Sequence, residues 1–93
     1  MILRWLPRAR KNRKAAIDFI ARDNIAAALD QLSRLEDQID NLSIYPELGK
    51  VGRQAGTREL IVAHTPWIVV YRIRPKLGYL EILRILHSSQ KHP

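Results

Sequence analysis

The stretch from Gly56 to Arg74 constrains the fold more than any other part of the chain. Thr57 to Ala63 and Trp67 to Ile73 are β-branched and aromatic runs separated only by His64, Thr65 and Pro66. That is the pattern of a hairpin. A third run, Tyr79 to Leu86, follows after Pro75, Lys76, Leu77 and Gly78. The three together predict a three-stranded antiparallel meander whose strands each carry an arginine, Arg58, Arg72 and Arg84. Everything before it is helical in pattern, so helices are expected to cover one face of the sheet and leave the other partly open.

Ile2 to Leu6, ending at Pro7, reads as a short first strand whose place in the sheet is not legible locally. From Ala9 to Arg22 the residues are strong helix formers, with Ala16, Ile17 and Ile20 as the apolar stripe. Asp23 and Asn24 supply a stop and a new N-cap, so a second helix starts at Ile25. In it Ala28, Leu32, Leu35, Ile39 and Leu42 form one seam at spacings of four and three. An intramolecular helical hairpin uses that seam better than a coiled coil of about two heptads would. Ser43 to Gly56, with Pro46, Gly49 and Gly52, is the long irregular segment and exposes Lys50 and Arg53. The expected fold class is α+β, one domain over residues 1–93, in the order strand, two helices, three strands.

Charge is segregated along this order. Residues 1–14 carry six bases and no acid, residues 15–49 two bases against seven acids, and residues 50–93 eight bases against two acids. Such segregation suggests a polyanionic partner met by the two ends of the chain, nucleic acid or an acidic protein segment. Arg10, Lys11, Arg13 and Lys14 crowd the first helical turns, where cations oppose the helix dipole, which favours a binding role. The chain has no cysteine, so a disulfide framework, a thiolate metal site and a thiol nucleophile are excluded. No apolar run approaches the roughly 18 residues of a membrane span, and Met1 to Trp5 is too short for a signal-peptide core, so a soluble cytoplasmic protein is the default.

Strand alternation limits which side chains share a face. Trp67, Val69, Tyr71 and Ile73 point one way and Ile68, Val70, Arg72 and Arg74 the other; Leu80, Ile82, Arg84 and Leu86 are expected on one side, Glu81, Leu83, Ile85 and His87 on the opposite one. Arg84 then pairs with Glu59 or Glu81, or reaches an anion. His64, His87 and His92 lack ligand spacing, so neither metal nor cofactor is expected. There is no glycine-rich phosphate loop, paired-carboxylate arrangement or Ser/His/Asp set. An active site here must work with arginine, lysine and histidine, which suits RNA cleavage by the 2′-hydroxyl, with cations stabilising the phosphate oxygens.

Several stretches resemble the RelE/ParE superfamily of bacterial type II toxin–antitoxin toxins over nearly the whole chain. They are Asp23-Asn24 followed by Ala26-Ala27, Tyr45-Pro46 with Gly49, Gly56-Thr57-Arg58-Glu59-Leu60, Ile68-Val69-Val70-Tyr71-Arg72, and Ile82-Leu83-Arg84-Ile85-Leu86-His87. The resemblance implies a small basic toxin neutralised by the acidic and apolar C-terminal segment of an antitoxin, meeting operator DNA only through that partner. It implies first a metal-independent endoribonuclease that cuts ribosome-bound mRNA, with His87 as general acid or base and Arg58 and Arg84 as phosphate stabilisers. Lys50, Arg53, Arg72, Arg10, Lys11 and Lys14 would contact the RNA. The alternative is a ParE-type, non-nuclease inhibitor of DNA gyrase, favoured by Glu59, Ile61 and Ile68 at positions where ribonuclease members are basic.

Overall fold

The computed structural model describes residues 1–89 and has the expected α+β order with one additional strand. β1 is Ile2–Trp5, α1 Pro7–Ala21, α2 Ile25–Asn41, β2 Lys50–Val51, β3 Arg58–Ile61, β4 Trp67–Arg74 and β5 Tyr79–His87. They form a five-stranded sheet in the order β1-β5-β4-β3-β2. The meander β3-β4-β5 is antiparallel throughout, whereas β1 lies parallel to β5, with Ile2 opposite Tyr79 and Trp5 opposite Ile82. That first and last strands meet follows from packing between chain ends, which is why β1 could not be placed from its own residues.

α1 begins at Pro7, earlier than the composition suggested. Proline fits the first helical position because its missing N–H has no partner there in any case. Asn24 is the N-cap of α2, its Oδ1 accepting from the Ala27 amide at 3.0 Å. Of the apolar seam, Ala28, Leu35, Ile39 and Leu42 are buried and Leu32 is half-buried. Leu35, Ile39 and Leu42 pack with Ala9 and Ala16 of α1 on Leu60, Val62, Trp67, Val69, Tyr71, Leu80, Ile82 and Ile85, so one face of the sheet carries the core. Two glutamines bind α2 to the β3–β4 hairpin. Gln31 Oε1 accepts from Trp67 Nε1 at 2.7 Å, and Gln38 Oε1 accepts from the Ala63 amide at 2.9 Å.

The segment Ser43 to Gly56 is not wholly irregular, since Lys50 and Val51 pair with Glu59 and Arg58. Two residues are too short to show alternation, so the pattern had no signal for β2. The second difference is in β5. Val70 stands opposite Arg84 and Tyr71 opposite Ile82, with the register shifting between them, so Leu83 is an extra residue in a β-bulge. Ile82 and Ile85 face the core while Arg84 faces away from it. The expected grouping of Leu80, Ile82, Arg84 and Leu86 on one side is therefore corrected: the bulge turns Arg84 and Leu86 to the face opposite Leu80 and Ile82. Among the described residues no helix is long and apolar enough to cross a membrane. His92 lies outside the described residues.

Candidate functional site

The three residues expected to form a catalytic group occupy three different environments. His87 ends β5 on the core side, opposite Trp67, and the two rings meet edge to face with centroids 5.2 Å apart. Its Nδ1 accepts from the Ser89 amide at 3.1 Å, with Ser89 Oγ 2.7 Å away. A cavity of about 330 Å³ adjoins it, lined by Asn12, Ala15, Ala16, Phe19, Trp67 and Ile85. Those walls hold no cation that could bind a phosphate.

Arg58 is opposite Tyr71, four residues along β4 from Trp67, or roughly 13 Å at strand rise. Its guanidinium is spent on main chain. Nε donates to the Gly49 carbonyl at 2.9 Å and Nη2 to the Glu47 carbonyl at 3.2 Å. Tyr71 grips the same loop, its Oη donating to the Pro46 carbonyl at 2.7 Å and accepting from the Gly49 amide at 2.9 Å. Gly49 lies so close that a Cβ there would stand 2.7 Å from that oxygen. Arg58 and Tyr71 thus clamp the loop through Pro46, Glu47 and Gly49.

Arg84 is on the opposite face from both. The carboxylates expected to pair with it are occupied elsewhere: Glu81 Oε1 accepts from Arg72 Nη2 and from Arg74 Nε, both at 2.9 Å, and Glu59 Oε2 accepts from the Arg53 amide at 3.0 Å. Arg74, with Arg72 beside it, holds the Glu81 carboxyl below its ordinary range against the opposing effect of burial. The expected ion pair of Arg84 with Glu59 or Glu81 is accordingly not formed. Among the described residues the buried Nε of Arg84 has no hydrogen-bond partner, an arrangement that costs about 1–3 kcal/mol or more for a charged donor. Burial, and after it the like charge of Arg8, disfavours its charged form.

Arg8 was missed as a site residue. It is exposed in the first turn of α1, and with Arg84 it borders a cleft of about 500 Å³ whose other walls include Leu6, Pro7, Gln54, Val70 and Leu83. The signal was available in Pro7, which as the first helical residue places Arg8 beside the end of β1. Of the remaining cations named from sequence, Arg10 and Lys11 are exposed on α1, Lys50 is exposed in β2 and Arg53 just after it, Lys14 pairs with Asp18 at 2.6 Å, and Arg72 is engaged with Glu81. The structure brings together Arg8 and Arg84; it does not bring His87, Arg84 and Arg58 to one place. No group of side chains able to hold a metal is found among the described residues.

Comparison with known proteins agrees with the fold. Residues 3–92 match the family described as "ParE toxin of type II toxin-antitoxin system, parDE". The chain is 35% identical over 91 residues to the toxin candidate Y4kP of Sinorhizobium fredii strain NGR234, which covers 98% of this chain and 92% of that protein. The solved chromosomal ParDE toxin–antitoxin system from P. aeruginosa superposes with a TM-score of 0.80 at 22% identity, covering 94% of this chain and 95% of that one, a likeness of fold. With a family match spanning nearly every residue and 35% identity to a relative over 98% of its own length, the chain belongs to the ParE toxins of type II toxin–antitoxin systems.

Proposed function

We propose that this protein is the toxin of a type II module, held inactive in the cytoplasm by a cognate antitoxin, and that the free toxin inhibits DNA gyrase without cutting RNA. The observation that carries this reading is the ParE family match over residues 3–92. The geometry supports it from another side. Cleavage through the 2′-hydroxyl needs a proton-transfer group and phosphate-stabilising cations converging on one phosphate. Here His87 faces the core side next to Trp67, Arg84 faces the other side, and Arg58 is bound to the carbonyls of Glu47 and Gly49. Contact with operator DNA is then made by the antitoxin.

The test is a supercoiling assay with purified gyrase, run beside a ribosome-programmed mRNA cleavage assay. Gyrase should be inhibited at the toxin concentrations that arrest growth, and message on ribosomes should stay intact. No inhibition at those concentrations would overturn the reading. Cuts in the A-site codon that disappear in His87→Ala would instead establish the ribonuclease.

A further inference from the structure

The cleft between Arg8 and Arg84 has cations, shape and walls but no counter-charge. Arg84 reaches it because the bulge at Leu83 turns it away from the core, and Arg8 because Pro7 starts α1 at the end of β1. The described carboxylates on this face are Glu59 and Glu81, and both are already bonded, to the Arg53 amide and to Arg72 and Arg74. The first turn of α1 has no acid. Two guanidinium groups therefore share a cleft with a buried, unpartnered Nε.

We propose that this cleft receives a carboxylate side chain carried on an apolar peptide segment, held between the Arg8 and Arg84 guanidinium groups with its neighbouring residues against Leu6, Val70 and Leu83. Guanidinium binds carboxylate through paired N–H···O bonds, which would satisfy the donor that the isolated chain leaves open. The like charge of Arg8 and the burial that disfavour charge on Arg84 are both offset by an incoming anion. A nucleic-acid backbone is a poorer occupant. It requires a track of cations, yet Arg72 and Arg74 on this face are both tied to the one carboxylate of Glu81, and most of the cleft wall between Arg8 and Arg84 is apolar, formed by Leu6, Pro7, Val70 and Leu83. In the cell the segment would belong to the antitoxin; only that identity rests on the function proposed above, since the site itself is defined by residues of this chain.

The test titrates the full chain calorimetrically with a synthetic peptide of Glu-Leu-Leu repeats and with its Gln-Leu-Leu counterpart, so neither an antitoxin nor gyrase needs to be identified. The Glu peptide should bind, and Arg8→Gln and Arg84→Met should each weaken it by about tenfold, ~1.4 kcal/mol. The Gln peptide should bind more weakly and be indifferent to both substitutions. Lys76→Gln, which removes an exposed charge outside the cleft, should leave Glu-peptide binding unchanged. Arg8 is exposed, so its variant reports even where Arg84→Met fails to fold. The proposal is overturned by no association, by equal affinity for the two peptides, or by a loss in Lys76→Gln as large as in Arg8→Gln. It is equally overturned by a single-stranded DNA oligonucleotide that binds more tightly than the Glu peptide and depends on Arg8, which would make the cleft a phosphate site.

Discussion

Tyr71 and Arg58 hold the loop before the sheet by satisfying main-chain groups that no strand satisfies, Tyr71 through the Pro46 carbonyl and the Gly49 amide, Arg58 through the carbonyls of Glu47 and Gly49. Tyr71→Phe keeps the ring packing and leaves the buried Gly49 amide without its acceptor, so it should cost about 1–3 kcal/mol in chemical denaturation. If unfolding is unchanged, the clamp does not bear on stability. Arg58→Met should behave alike, and its loss of toxicity in a growth assay should follow the folded fraction rather than exceed it. Glu81 adds a pH dependence. Its carboxyl is lowered in the folded chain by Arg74 and Arg72, from an unfolded value of about 4.3. The contribution is present above that unfolded value and lost as pH falls through the lower folded one. Melting curves of the wild type and Glu81→Gln should therefore differ at neutral pH and converge on acidification; a gap that persists through acid would mean the ion pairs contribute nothing. None of these pairings was legible in sequence. Glu59 and Glu81 are both plausible mates for Arg84 until the register and the Leu83 bulge are known, and the bulge leaves no mark in a pattern of Ile, Leu and Arg.

At the scale of elements, α2 was read almost completely because its seam obeys one period and its cap is local. Ala28, Leu35, Ile39 and Leu42 are buried and Asn24 caps through the Ala27 amide, as the spacing and residue types require. What the period cannot give is the polar attachment by Gln31 and Gln38, which depends on where the β3–β4 hairpin lies in space. Substitutions along the helix should separate these contributions. Leu35 is 1% exposed, so Leu35→Ala should cost ~2–5 kcal/mol, whereas Leu29 is 61% exposed and Leu29→Ala should stay within about 0.5 kcal/mol. Comparable losses at both, measured by urea unfolding, would place Leu29 in an interface of the isolated chain. β1 shows the complementary limit. Four residues with half of them exposed carry too weak a pattern to choose a partner, and the choice of β5 is made by tertiary packing.

For the molecule as a whole, charge segregation reads directly from the sequence, but its meaning changes once the strands are placed. The C-terminal bases do not form one cationic sheet surface: Arg58 is turned to the loop, Arg72 and Arg74 are tied to Glu81, and Arg84 is left with Arg8. Exposed apolar residues are likewise spread over the molecule: Phe19 on α1, Ile25 and Leu29 on α2, Ile44, Tyr45 and Leu48 in the loop after it, and Ile2, Val51, Ile61 and Leu77 on or beside the strands are each more than half exposed. A 93-residue chain that leaves this much apolar surface open buries a limited share of what it could, so much of its stability should come from a bound partner. An antitoxin present at about a thousandfold over its dissociation constant should add ~4 kcal/mol. The increment has an apolar part and an electrostatic part, and salt separates them, since exposed charges about 10 Å apart are largely screened at roughly 0.1 M. Thermal unfolding of the toxin alone and in its antitoxin complex, at low and high ionic strength, should show a melting temperature that rises on complex formation, with a rise that shrinks but persists as salt increases. A rise that vanishes in high salt would make the association purely electrostatic and leave the exposed apolar faces uncovered; one indifferent to salt would remove Arg8 and Arg84 from the interface.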